Sequence, residues 1–176
     1  NYVMIGGGVL LILGIDPGYA IVGYGVVKYE NYKFTPIEYG AITTPAKIDF
    51  GKRLEMIYKG MSSILEKYDI DSLAIEKLFF NTNTTTAIDV AQARGVILLS
   101  AEHHRVPTYE YTPLQVKQAV TGYGRAEKKQ VMEMTRQMLS LQKVPKPDDT
   151  ADALAMAICH GYSAGFSQKL KEKESV

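Results

Sequence analysis

A chain of 176 residues, 46% hydrophobic and 22% charged, has room for one domain with a real core, and its composition excludes a disordered or low-complexity protein. Its single cysteine, Cys159, excludes an intrachain disulfide and any CxxC metal site and suits a reducing, cytoplasmic setting. A net charge of +1 indicates no partner by itself, so the distribution of charge has to speak instead.

Gly6-Gly7-Gly8 is not followed by the Gly-Lys-Ser/Thr of a phosphate-binding loop, and no basic stretch or small-residue cleavage site marks a signal peptide. Residues 1–8 are expected to be a flexible leader, 9–165 a single domain and 166–176 a charged tail. From Val9 an apolar run too short to span a bilayer ends on Asp16, before Pro17-Gly18. It predicts a buried strand whose last residue is a carboxylate. Ile21–Glu30 and Lys33–Thr43, rich in β-branched and aromatic residues, predict two more strands and hence an antiparallel meander. Phe50, Leu54, Ile57, Met61, Ile64 and Leu65 recur at helical spacing within 48–68. Asp71–Ile75 then reads as a short buried strand followed directly by Glu76. If it lies parallel to the first strand, Asp16 and Glu76 project from the same sheet edge.

The polar run Asn81–Thr86 is rich in helix-capping residues, and a helix follows over 84–103. Its apolar residues continue nearly all round, which predicts burial on more than one side. His103 and His104 close it, where cations complement the helix dipole. Val106–Glu110 reads as a fifth strand, Thr112–Val120 as a short helix, and Ala126–Leu139 as a helix with Val131, Met134, Met138 and Leu139 inward. From Tyr111 to Lys146 there are seven basic residues (Lys117, Arg125, Lys128, Lys129, Arg136, Lys143, Lys146) and two acids (Glu127, Glu133), a surplus of five positive charges. A basic segment on an otherwise acidic chain suits a phosphate backbone. A last helix begins at Asp148 or Asp149 and is expected to end near Tyr162. Asp149 and Asp152 are three apart and share a face of its first turn.

Four carboxylates thus stand out: Asp16, Glu76, Asp149 and Asp152. No His or Cys joins them at ligand spacing, so an all-oxygen site for Mg²⁺ or Mn²⁺ is expected rather than zinc. Such a site can drive in-line phosphodiester hydrolysis.

The order Gly14-Ile15-Asp16-Pro17-Gly18, Ile75-Glu76, Ala91-Gln92-Ala93-Arg94-Gly95, Val116-Lys117-Gln118, Ala126-Glu127-Lys128 and Asp149-Thr150-Ala151-Asp152-Ala153-Leu154-Ala155 resembles the bacterial RuvC Holliday junction resolvases over residues 11–161. The resemblance implies an α/β, ribonuclease H-like fold: a five-stranded mixed sheet, strands 1–3 antiparallel and 4 and 5 parallel, flanked by helices. It implies a homodimer that makes paired symmetric nicks in four-way DNA junctions during recombination and repair. It assigns Asp16, Glu76, Asp149 and Asp152 to catalysis and to holding Mg²⁺, two ions per site. It matches Phe79 to an aromatic that stacks at the crossover, and Lys117 and Lys128 to residues that handle substrate. Arg125 and Lys129 join them as DNA-binding candidates from the basic segment. The RuvA–RuvB branch-migration complex is the implied partner, with no role for a membrane. The same Gly14–Gly18 hairpin also resembles the phosphate-binding hairpin of actin-like ATPases, which need two domains. Other ribonuclease H-like nucleases, and a binding module without catalysis, are the remaining alternatives.

Overall fold

The computed structural model describes residues 8–78 and 84–174, with side chains at 8–78 and 86–165. The elements run β1 (Leu10–Asp16), β2 (Ile21–Glu30), β3 (Lys33–Thr43), α1 (Phe50–Lys67), β4 (Ser72–Glu76), α2 (Thr84–His103), β5 (Thr108–Tyr111), α3 (Pro113–Thr121), α4 (Lys128–Met138) and α5 (Asp148–Glu174). They form one five-stranded sheet in the order β3-β2-β1-β4-β5. β1, β2 and β3 are the expected antiparallel meander, while β4 runs parallel to β1 and β5 parallel to β4.

Period-two alternation sends successive side chains to opposite faces, so the central strands feed two cores. On one face Leu13, Ile15, Val22, Val26, Leu73 and Ile75 pack against Ile57 and Met61 of α1 and Ala93 and Ile97 of α2. On the other, Ile12, Val27 and Ala74 pack against Leu154 and Ile158 of α5, with Val116 and Val131 closing the side. The result is a three-layer sandwich with α5 alone across the middle of one face. Among the described residues no helix is long and apolar enough to cross a membrane.

Three expectations need correction. In α4 Met134 is exposed and Thr135 is fully buried, its Oγ1 donating to the Val131 carbonyl at 2.8 Å. The helix phase is set by Val131, Met138 and Leu139, and the position four residues after Val131 turns inward whatever its hydropathy. β5 begins at Thr108 and ends on Tyr111, because the Val106 N–H bonds back to the Ala101 carbonyl and belongs to the turn after α2. Finally, α5 does not stop near Tyr162 but continues to Glu174. Lys and Glu are good helix formers, and a helix already nucleated by a packed half extends through them cheaply. Residues 1–7 of the expected leader, and Phe79, lie outside the described residues.

Candidate active site

The site is built where β1, β4 and α5 meet. β1 and β4 pair in parallel with Ile15 opposite Ile75, so Asp16 and Glu76 leave the sheet at one edge, at the C-terminal ends of adjacent strands. That edge is where open α/β sheets carry their ligands. α5 reaches it because the strands beneath have no side chains in the way. A Cβ on Gly23 would lie 2.0 Å from the Asp149 carbonyl oxygen, and one on Gly14 would lie 2.0 Å from that of Ala153. The first two turns of α5 therefore rest on bare backbone of β2 and β1. Thr150 Oγ1 fixes its position by donating to the Gly40 carbonyl of β3 at 2.9 Å. Asp149 and Asp152 are thereby held over the edge that carries Asp16 and Glu76.

The four acids act on one another electrostatically. Burial, and then the charges of Asp152, Asp149 and Glu76, push the Asp16 carboxyl up to about 8. Burial and Asp152 raise Glu76 as well. Lys128, at the start of α4, opposes both shifts and places its Nζ 2.8 Å from Asp152 Oδ2. Asp148 stands apart, paired with Lys146 and held below the usual carboxylate range by it. The donors facing one another are carboxylate oxygens, the chemistry that hard divalent cations prefer. Among the described residues no three His, Cys, Asp or Glu side chains are drawn to one metal-sized point. Asp152 is engaged by an ammonium instead. The acids form a charge cluster that favours cations, and its side chains would have to turn toward a shared ion.

Of the basic candidates, Lys128 alone is bonded to one of the four acids. Lys117 is half-buried on α3, and Arg125 is exposed in the loop before α4. Lys129 is exposed and lines a groove with Tyr123, Ala126 and Met134. His103 shares a hydrogen bond with the Tyr58 hydroxyl at 2.6 Å and His104 with the Ser100 carbonyl at 2.8 Å, a structural role for both.

Sequence reasoning passed over two features. Gly14 and Gly23 set the height of α5 above the sheet, and their signal was a glycine inside a strand pattern. His160 is buried on α5, stacked on Tyr109 with ring centroids 4.5 Å apart and hydrogen-bonded to the Tyr111 hydroxyl at 2.7 Å. Burial pushes it down to about 4, so it is a neutral spacer at physiological pH. A histidine inside an apolar helix pattern was the available sign.

Comparison with known proteins shows the family and the fold. The family model described as crossover junction endodeoxyribonuclease RuvC matches residues 12–160. The protein of that description from Clostridioides difficile is 59% identical over 162 residues, 92% of this chain and 96% of that protein. Its counterpart from Alkaliphilus metalliredigens is 57% identical over 164 residues, 93% of this chain and all of that protein. The structure of Thermus thermophilus RuvC in complex with Holliday junction substrate superposes with a TM-score of 0.85 at 33% identity, covering 90% of this chain and 97% of that one. The yeast mitochondrial Holliday junction resolvase Ydc2, 11% identical with a TM-score of 0.64, shares the fold. A family model that spans most of the chain, together with relatives at more than half identity, shows that the chain belongs to the RuvC family of crossover junction endodeoxyribonucleases.

Proposed function

We propose that this protein is a metal-dependent endonuclease that resolves four-way DNA junctions by paired, symmetric nicks. The observation that carries the reading is the convergence of β1, β4 and α5 on one sheet edge, which puts Asp16, Glu76, Asp149 and Asp152 into electrostatic contact. These four would hold Mg²⁺, two ions per site, with Mn²⁺ as a substitute. When bound, such ions lower the pKa of a water and stabilise the leaving oxygen of an in-line displacement. The raised Asp16 carboxyl supports the assignment, because a cluster that resists ionisation on its own is stabilised by added positive charge.

The chain's own residues position the backbone. Lys128, half-exposed beside Asp152, can exchange its carboxylate for a substrate phosphate. Lys117 on α3, Arg125 in the loop before α4 and Lys129 on α4 are the further candidates for phosphate contacts. Phe79, three residues beyond Glu76, would stack on a base unpaired at the crossover, recovering about 1–3 kcal/mol of the opening cost.

Two symmetric nicks require two symmetric sites, hence a C₂ homodimer. α2 offers the surface for it. Ile88 and Leu99 are 61% and 56% exposed, with Gly95 between them on the same stripe and no neighbouring atom within 4 Å of where its Cβ would be. Family resemblance adds a cytoplasmic setting and the RuvA–RuvB complex as partner.

The test is a cleavage map. End-labelled four-way junction, linear duplex and RNA–DNA hybrid are offered with Mg²⁺. Paired nicks confined to the junction are expected, weakened more by Phe79→Ala than by Phe79→Tyr. Preferential cutting of the hybrid would assign the site to another ribonuclease H-like activity.

A further inference from the structure

Arg94 is a buried charged residue to which the proposed reaction gives no task. It sits in the middle of α2 and is only 9% exposed. A buried cation is costly unless its protons are engaged. Arg94 Nη2 donates to Glu110 Oε1 of β5 at 2.6 Å, and its Nε donates to the backbone carbonyl of Glu76 at 3.4 Å. The guanidinium thus joins three elements, α2, β4 and β5, at the last residue of β4.

Strand geometry gives the contact its meaning. Ile75 and Glu110 are register partners, and Ile75 belongs to the core covered by α1 and α2. Glu76, one residue on, sends its side chain to the opposite face, where α5 brings Asp149 and Asp152. Arg94 therefore grips the Glu76 backbone from behind while the Glu76 carboxylate works in front. On the far side of Glu76 the Lys77 N–H donates to the Tyr111 carbonyl at 2.8 Å, so the peptide after the acid is fixed as well. The same helix that carries Arg94 exposes Ile88, Gly95 and Leu99 on its outer stripe.

We infer that Arg94 is a positioning residue for Glu76: its fork, oriented by Glu110, fixes the strand end from which Glu76 presents its carboxylate to a divalent cation, and so ties the orientation of that acid to helix α2. The inference rests on the reading of Glu76 as a metal-holding residue. Loss of a partner that orients such an acid weakens metal binding, whereas loss of a merely structural cation lowers stability alone.

The experiment compares wild type, Arg94→Gln, Glu110→Gln and Glu76→Gln. Two Mg²⁺ titrations are made: the rise in Tm of the DNA-free protein, and the rate of junction nicking. Junction affinity is measured separately in EDTA. For Arg94→Gln, both titrations should move to Mg²⁺ concentrations about 10–100-fold higher, the range typical for lost outer-shell partners, with junction affinity in EDTA unchanged. Glu110→Gln leaves the guanidinium in place but removes the charge that orients it. It should give a smaller shift in the same direction, and it keeps the question open to decision if Arg94→Gln does not fold. A lower Tm with wild-type Mg²⁺ dependence, in whichever of these two variants folds, overturns the inference. If Glu76→Gln itself responds to Mg²⁺ as wild type does, the reading of the site fails and the inference falls with it.

Discussion

Asp16 shows most directly what the fold does to a single residue. Its carboxyl, pushed from 3.8 up to about 8, binds a proton more tightly folded than unfolded. Its contribution to stability is therefore full below the unfolded value and is lost as pH rises through about 8. Without metal, Asp16→Asn should melt higher than wild type at pH 8, by roughly 2–4 °C for each kcal/mol relieved, and the gain should vanish near pH 4. The same variant should make no nicks yet bind junctions nearly as wild type, since phosphate contacts dominate affinity. A variant that melts lower than wild type at pH 8 would contradict this account of Asp16. His160 has the opposite sign. Held neutral by burial, with its value lowered from 6.5 to about 4, it supports the fold above the unfolded value and withdraws that support as pH falls through this window. His160→Gln can still accept from Tyr111 but cannot charge. Urea midpoints should accordingly fall less for it than for wild type between pH 6.5 and about 4.

At the scale of elements, the site depends on how closely α5 approaches the sheet. Near the acids, helix and strands touch through backbone, at Gly14 and Gly23. Gly23→Ala should lift the first turn of α5, move Asp149 off the sheet edge and cut nicking sharply while junction binding persists. Gly14→Ala strikes deeper, against Ala153 and Ala157, and should destabilise by about 1–3 kcal/mol as an overpacked core does. Denaturant melts together with nicking rates separate the two effects. Retained nicking in a folded Gly23→Ala protein would show that the first turn has slack.

For the whole molecule, the question is which surface of α2 is left over once the sheet is covered. Ala93, Ile97 and Ala101 are buried against the sheet, and Val96 packs beside them. Ile88 and Leu99 point away. Leu99→Glu should consequently give a folded monomer that binds junctions weakly and no longer makes paired nicks, while Val96→Glu should unfold the chain. Analytical ultracentrifugation and circular dichroism distinguish these outcomes. A wild-type protein that is monomeric at micromolar concentration yet makes paired nicks would remove the dimer from the mechanism.

What the sequence determined by itself was local and periodic. Apolar runs of strand length ending on Asp16 and near Glu76, the 3.6-residue recurrence in α1, and the Thr112-Pro113 start of α3 are properties of neighbouring residues, so they can be read along the chain. The ordered motifs added the family, and with it the pairing of the strands. What only the tertiary structure decided is what depends on distance between remote segments. Nothing near Gly23 says that a helix 126 residues later will lie on it, and nothing near Arg94 says that its fork will meet Glu76 and Glu110. The phase of α4 turned on Thr135 rather than Met134 because packing of the whole helix outweighs the hydropathy of one residue. The perturbation of Asp16 arises only when three elements bring their charges to one buried edge, a sum over space that no linear pattern contains.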